Sequence, residues 1–127
     1  IPRKFWLTDL EDDQLQGDDV VKPYLKAVWE IDKLSKTCTP REKLSCFLMM
    51  HSHMKSAVVD FHHGNVEIES MDDQLPMIIF ILVFTDAPNL ISNIAFVEDF
   101  IRFDSSLESE KRLMTNIRVK LHFLAIG

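Results

Sequence analysis

Glycine and cysteine are scarce in this chain, three and two in 127 residues, and their scarcity excludes whole classes of chemistry. So few glycines leave no material for a phosphate-cradling loop, and no G-x-S-x-G nucleophile elbow is present. Cys38 and Cys46 are too few for a disulfide scaffold or a cysteine zinc site, and they read as ordinary thiols of a reducing compartment. Low glycine with only five prolines also disfavours a turn-rich β-sandwich or barrel. A basic excess is missing too. The formal net charge of −6 argues against a nucleic-acid partner and against an anionic membrane surface. The longest apolar run is far shorter than the roughly 20 residues of a membrane-spanning helix, so direct membrane insertion is not expected. No stretch reads as a secretory leader.

What is present suffices for one domain with one core: hydrophobic residues make up 46% of the chain. The sequence is organised around Met71-Asp72-Asp73-Gln74-Leu75-Pro76 and the unbroken apolar run from Met77 to Phe84. Periodicity cannot tell helix from strand in that run, because every position is apolar. Ile78, Ile79, Ile81 and Val83 lean towards strand. Pro76 leans towards the first turn of a helix, where missing N–H groups cost nothing. The flanking segments read as helices, and a lone strand has nothing to pair with. The expectation is a buried helix with its acids at the N-terminal, electropositive end.

Residues 1–19 read as an acidic lead-in, with Phe5, Trp6 and Leu7 able to pack on the domain surface and Glu11-Asp12-Asp13 and Asp18-Asp19 solvated. From Val20 to Lys36, Val21, Leu25, Val28 and Trp29 fall at helical spacing. Thr39-Pro40-Arg41-Glu42 is a strong helix start, with cap, first-position proline and capping-box glutamate. The helix it opens carries Leu44, Phe47, Leu48, His51, Met54, Val58 and Phe61 on one face. Gly64-Asn65 marks a turn, and Pro88 ends the central element. Further apolar stripes follow at Leu90, Ile94, Val97 and Ile101, and, after an Asp104-Ser105-Ser106 cap, at Leu113, Ile117, Leu121 and Leu124. The fold class expected is all-α: a single layered helical domain, residues 20–127, of about six helices around one buried central helix. The chain starts at Ile1 and stops at Gly127 just after an apolar stretch, so it is expected to be part of a larger multidomain protein, truncated at its C-terminal end.

Few side chains converge on chemistry. His51 and His53 point to different sides of a helix, and no histidine pair stands at four-residue spacing, so no metal site is expected. His51, on the apolar side, reads as a hydrogen-bonded packing residue. Cys46 has no base beside it in the helix and reads as a structural thiol. The sharpest feature is the acid pair, Asp72 and Asp73. It caps a helix, as aspartate often does, or it presents negative charge to a partner.

The order of motifs bears on that choice. Thr39-Pro40-Arg41-Glu42-Lys43-Leu44 is followed by Asp72-Asp73-Gln74-Leu75-Pro76, then by Pro88-Asn89-Leu90-Ile91-Ser92-Asn93 with Phe96 and Phe100, and finally by Thr115-Asn116. Over roughly residues 20–127 this string resembles the catalytic domain named for vacuolar protein sorting factor nine, the Vps-nine domain. The resemblance implies a layered helical fold and guanine-nucleotide exchange on Rab GTPases of the Rab-five group, in the cytoplasm and at endosomal membranes. It implies no covalent chemistry and no cofactor. A Rab holds its nucleotide through Mg²⁺ and a phosphate-loop lysine. The resemblance assigns Asp72 as the carboxylate inserted into that site, and Asp73 as its cap or orienting neighbour. Pro76 would line the groove for the Rab switch regions, with Thr115 and Asn116 contributing from the last helix. One departure stands out: the family places a tyrosine three residues before the threonine, and this chain has Arg112 there. Three readings stay open. They are an active exchange factor, a module of the same fold that binds a Rab or another protein without exchange, and an unrelated helical scaffold.

Overall fold

The structure, a computed structural model, describes residues 3–9, 14, 17–68 and 70–126. Among them there is no strand. Six α-helices follow in order: α1 (Gly17–Val21), α2 (Leu25–Asp32), α3 (Pro40–Phe61), α4 (Met71–Val83), α5 (Leu90–Ile101) and α6 (Glu108–Ile126). Short 3₁₀ turns flank α2 on both sides and precede α6. The all-α layered expectation holds. α2 packs on α3, α5 on α6 and α3, and α4 on α6 and α2.

The first helical stretch differs in detail from its expected stripe. Pro23 sits in a 3₁₀ turn, Lys22–Tyr24, that separates α1 from α2. The buried register is then Tyr24, Ala27, Val28, Ile31 and Leu34, while Leu25 and Trp29 are exposed. The spacing of three, four and seven residues from Tyr24 is as helical as the expected one, so pattern alone could not choose between them.

α3 starts as its sequence dictates. The Thr39 hydroxyl oxygen accepts from the Glu42 N–H at 3.1 Å and the hydroxyl donates to the Glu42 carboxylate at 2.9 Å, with Pro40 at the first position. Leu44, Phe47, Met54 and Val58 are buried as expected, joined by Cys46 and Met50, whereas Phe61 is exposed at the helix end. The chain reverses through His63 (φ 53°) and Gly64 (φ 81°), and the Gly64 N–H donates back to the Val59 carbonyl at 2.9 Å. An added Cβ at Gly64 would meet nothing, so it is the backbone conformation and not space that favours glycine there.

α4 is central but not sheathed on every side. Met77, Ile78, Ile79, Ile81 and Leu82 are buried with Gln74. Val83, however, is 68% exposed, Phe84 is exposed, and Leu75, Pro76 and Phe80 are half-buried. The apolar run of α4 thus leaves one side for something else to cover.

The α5 stripe is as expected, with Ile94, Val97 and Ile101 buried and Leu90 half-buried. The Asp104 carboxylate accepts from the Ser106 N–H at 2.9 Å and caps the 3₁₀ turn before α6. In α6, Leu113, Met114 and Ile117 are buried and Leu121 is half-buried; the Leu124 side chain lies outside what is described, as does Glu11-Asp12-Asp13. The N-terminal segment does more than rest on the surface: Phe5 is fully buried and Leu7 is 6% exposed, within the common core.

Candidate functional site

The first turn of α4 carries the acid pair. Ser70 is its cap residue, and its side chain accepts no cap hydrogen bond. Neither Asp72 nor Asp73 accepts a first-turn N–H among the described residues, so capping is not what these carboxylates do. Asp72 is exposed and has no hydrogen bond or ion pair among the described residues. Asp73 is half-buried, with Oδ2 3.9 Å from the Lys4 ammonium. Both stand where the helix dipole favours negative charge.

Pro76 is not in the first turn. It is the sixth residue of α4, inside the helix. Lacking an N–H, it cannot donate to the carbonyl four residues back, and that carbonyl belongs to Asp72. The backbone at Asp72 therefore has no regular helical bond to hold it from the proline side, and the helix is weakened where its acid is presented.

The opposite side of the turn is held by a polar contact in the core. Gln74 is 7% exposed, the one buried polar side chain among the described residues. Its amide donates to the Ser70 carbonyl at 3.4 Å, which leaves its oxygen to accept from His51 Nε2 at 2.7 Å. That arrangement assigns the His51 proton to Nε2. Burial pushes the His51 imidazole below its ordinary value, partly offset by the Gln74 bond, so the ring is held neutral. His51 is thus the packing histidine its position suggested.

The surface beside the acid turn is apolar. Asp72, Pro76, Phe80 and Val83 recur at helical spacing along one side of α4, each exposed or half-buried, and the Phe80 and Phe84 ring centroids lie 5.0 Å apart. α6, packed on α4, has its own outward stripe: Arg112, Asn116, Val119 (45% exposed) and Phe123 (73% exposed). Arg112 is exposed and lines a pocket of about 420 Å³ with Met71, Gln74, His51 and Lys55, which puts it beside the first turn of α4. Thr115 lies elsewhere. It lines a separate pocket between α5 and α6, near Glu98, Asp99 and Arg118, where Arg118 pairs with Glu98 at 2.8 Å. The structure therefore brings Arg112 to the acid turn and turns Thr115 towards α5. Asn116 is half-buried.

Sequence reasoning placed Arg112 and Asn116 on the last helix but did not single out Lys4, Gln74 or the exposed Val119 and Phe123 of α6. Gln74 left a trace, being polar in the register of Met77, Ile78 and Ile81. Lys4 left none, because it meets the turn only through the fold. Among the described residues no three His, Cys, Asp or Glu side chains converge on a metal position, and no helix is long and apolar enough to cross a membrane.

Residues 24–124 match the family described as the Vacuolar sorting protein 9 (VPS9) domain. Among curated proteins the chain is similar to the "GTPase-activating protein and VPS9 domain-containing protein 1" of Bos taurus, Mus musculus and Homo sapiens. Each is 29% identical over 89 residues, covering 70% of this chain and 6% of the relative. The chain spans about 6% of the length of these curated relatives. No solved structure matches it.

Proposed function

The chain belongs to the VPS9 domain family, and from that premise we propose that it is a guanine-nucleotide exchange domain for a Rab GTPase of the Rab-five group, acting at the cytoplasmic face of endosomal membranes as part of a larger protein. The observation that carries the reading is Asp72: an exposed carboxylate without a partner among the described residues, at the head of an exposed apolar stripe.

A carboxylate offered at a helix N-terminus competes with phosphate for the Rab phosphate-loop lysine. It also repels the nucleotide's phosphates and disfavours retention of the Rab's Mg²⁺. Nucleotide affinity falls, and GTP replaces GDP by mass action. No bond is made or broken, so the acid needs rigid placement and charge, and no matched pKa. Gln74 and His51 hold the turn from the core side. Pro76, Phe80 and Val83 on α4, with Asn116, Val119 and Phe123 on α6, offer apolar area to the switch regions of the GTPase. Thr115 contributes from the α5 side of α6. Recruitment to the membrane falls to parts of the protein outside this domain.

Arg112 favours a second reading, a module of this fold that binds a Rab or another protein without releasing nucleotide. A charged, flexible side chain stands beside the acid turn where the family has a rigid aromatic anchor. Release of fluorescent GDP from a panel of Rab-five-group GTPases separates the two. Acceleration by the chain that drops about 10- to 100-fold in Asp72→Ala, the loss expected for one charge-assisted hydrogen bond, supports exchange. Binding without acceleration supports the second reading.

A further inference from the structure

The two acids of the pair are unequal, and the N-terminal segment accounts for the difference. Residues 3–9 precede the part of the chain that matches the family, yet their backbone is fixed at two points. The buried Tyr24 hydroxyl donates to the Phe5 carbonyl at 2.5 Å, and Nε2 of His62, the residue just after α3, meets the Lys4 carbonyl at 2.8 Å. The Lys4 side chain therefore starts from a held backbone. Its ammonium donates to the Glu67 carbonyl at 3.2 Å and stands 3.9 Å from Asp73 Oδ2. Glu67 lies in the connection between α3 and α4, and Asp73 lies in the first turn that the connection delivers. One cation thus bridges both.

We infer that Lys4 is a positioning residue for the acid turn: it ties the connection to α4 and occupies Asp73, so that Asp72 alone is offered to the cation of a partner. The inference rests on the exchange reading above and deepens it. Two adjacent free carboxylates would repel one another and compete for the same partner lysine. Giving one of them a cation from the chain itself decides which is presented. An ion pair this exposed contributes little to stability. Its effect is to narrow the orientations of a turn that Pro76 leaves short of one backbone bond.

The test uses the whole chain with Lys4→Met and Lys4→Arg, and has two readouts. The first needs no GTPase. In Lys4→Met, amide hydrogen exchange over residues 67–74 should rise about threefold or more while the thermal midpoint stays near that of the parent, and Lys4→Arg, which can reach the same oxygens, should restore protection. The second is GDP release against domain concentration from whichever Rab the parent accelerates. Lys4→Met should lower kcat about 5- to 10-fold with KM little changed, and Lys4→Arg should recover most of it. Unchanged amide exchange in Lys4→Met overturns the inference, and so does a rise in KM alone, which would make Lys4 a direct partner contact. If the parent accelerates no Rab, it is the exchange reading that fails, and amide exchange alone then decides whether Lys4 holds the turn.

Discussion

Whether residues 3–9 are a lead-in or part of the domain can be decided with a single oxygen atom. Tyr24→Phe removes only the hydroxyl from a side chain that is 1% exposed, and leaves the ring packing as it was. The Phe5 carbonyl, on a fully buried residue, then loses the donor it has at 2.5 Å. Burial pushes the Tyr24 phenol well above its ordinary value, so the hydroxyl stays protonated and donating throughout any working pH range. Leaving a buried acceptor without its donor costs about 1–3 kcal/mol. Phe5→Ala deletes a whole buried ring and should cost about 3–5 kcal/mol. A chain of 127 residues has an unfolding entropy of about 0.27 kcal/mol/K, so each kcal/mol lowers the midpoint by roughly 4 °C. Tyr24→Phe should therefore melt roughly 4–11 °C below the parent, and Phe5→Ala lower still. Urea denaturation gives the free energies and calorimetry the midpoints. If both variants matched the parent within about 0.3 kcal/mol, the segment would not be seated in the core and the reasoning would be refuted.

Pro76→Ala should stabilise α4 by about 1–3 kcal/mol in urea, because it restores a donor to the Asp72 carbonyl, while lowering GDP release if the ring lines the partner groove. His51 is held neutral in the fold, its folded pKa below the ordinary 6.5. Its contribution to stability is therefore full above about pH 6.5 and falls as pH drops through that value towards the lower folded one. Denaturation of His51→Gln should accordingly show a smaller loss between pH 7 and pH 5 than the parent. Thr39→Ala should cost about 1 kcal/mol in urea by removing the α3 cap, without affecting nucleotide release. Arg112→Tyr puts an aromatic beside the acid turn, and should raise the rate of GDP release by roughly tenfold, read in the same fluorescence assay, if aromatic contact area is what the parent lacks.

The sequence by itself determined the helical class, the start of α3, the reversal at Gly64, the core stripes of α5 and α6, and the place of the acid pair at a helix N-terminus. All of these are local. A cap, a proline, a glycine at positive φ or a repeat of three to four residues acts within one or two turns, so the information lies within a few positions. The tertiary structure alone decided which of two equally helical faces of α2 is buried, and that α4 keeps one apolar side uncovered. It also decided that Phe5 joins the core, that Arg112 stands by the acid turn while Thr115 faces α5, and that, among the described residues, Lys4 reaches Asp73 and Asp72 has no ion pair. Those outcomes depend on which surfaces meet across separations of some 20 to 70 residues. Burial and ion pairing are properties of the packed assembly, and no local pattern in this chain encodes them.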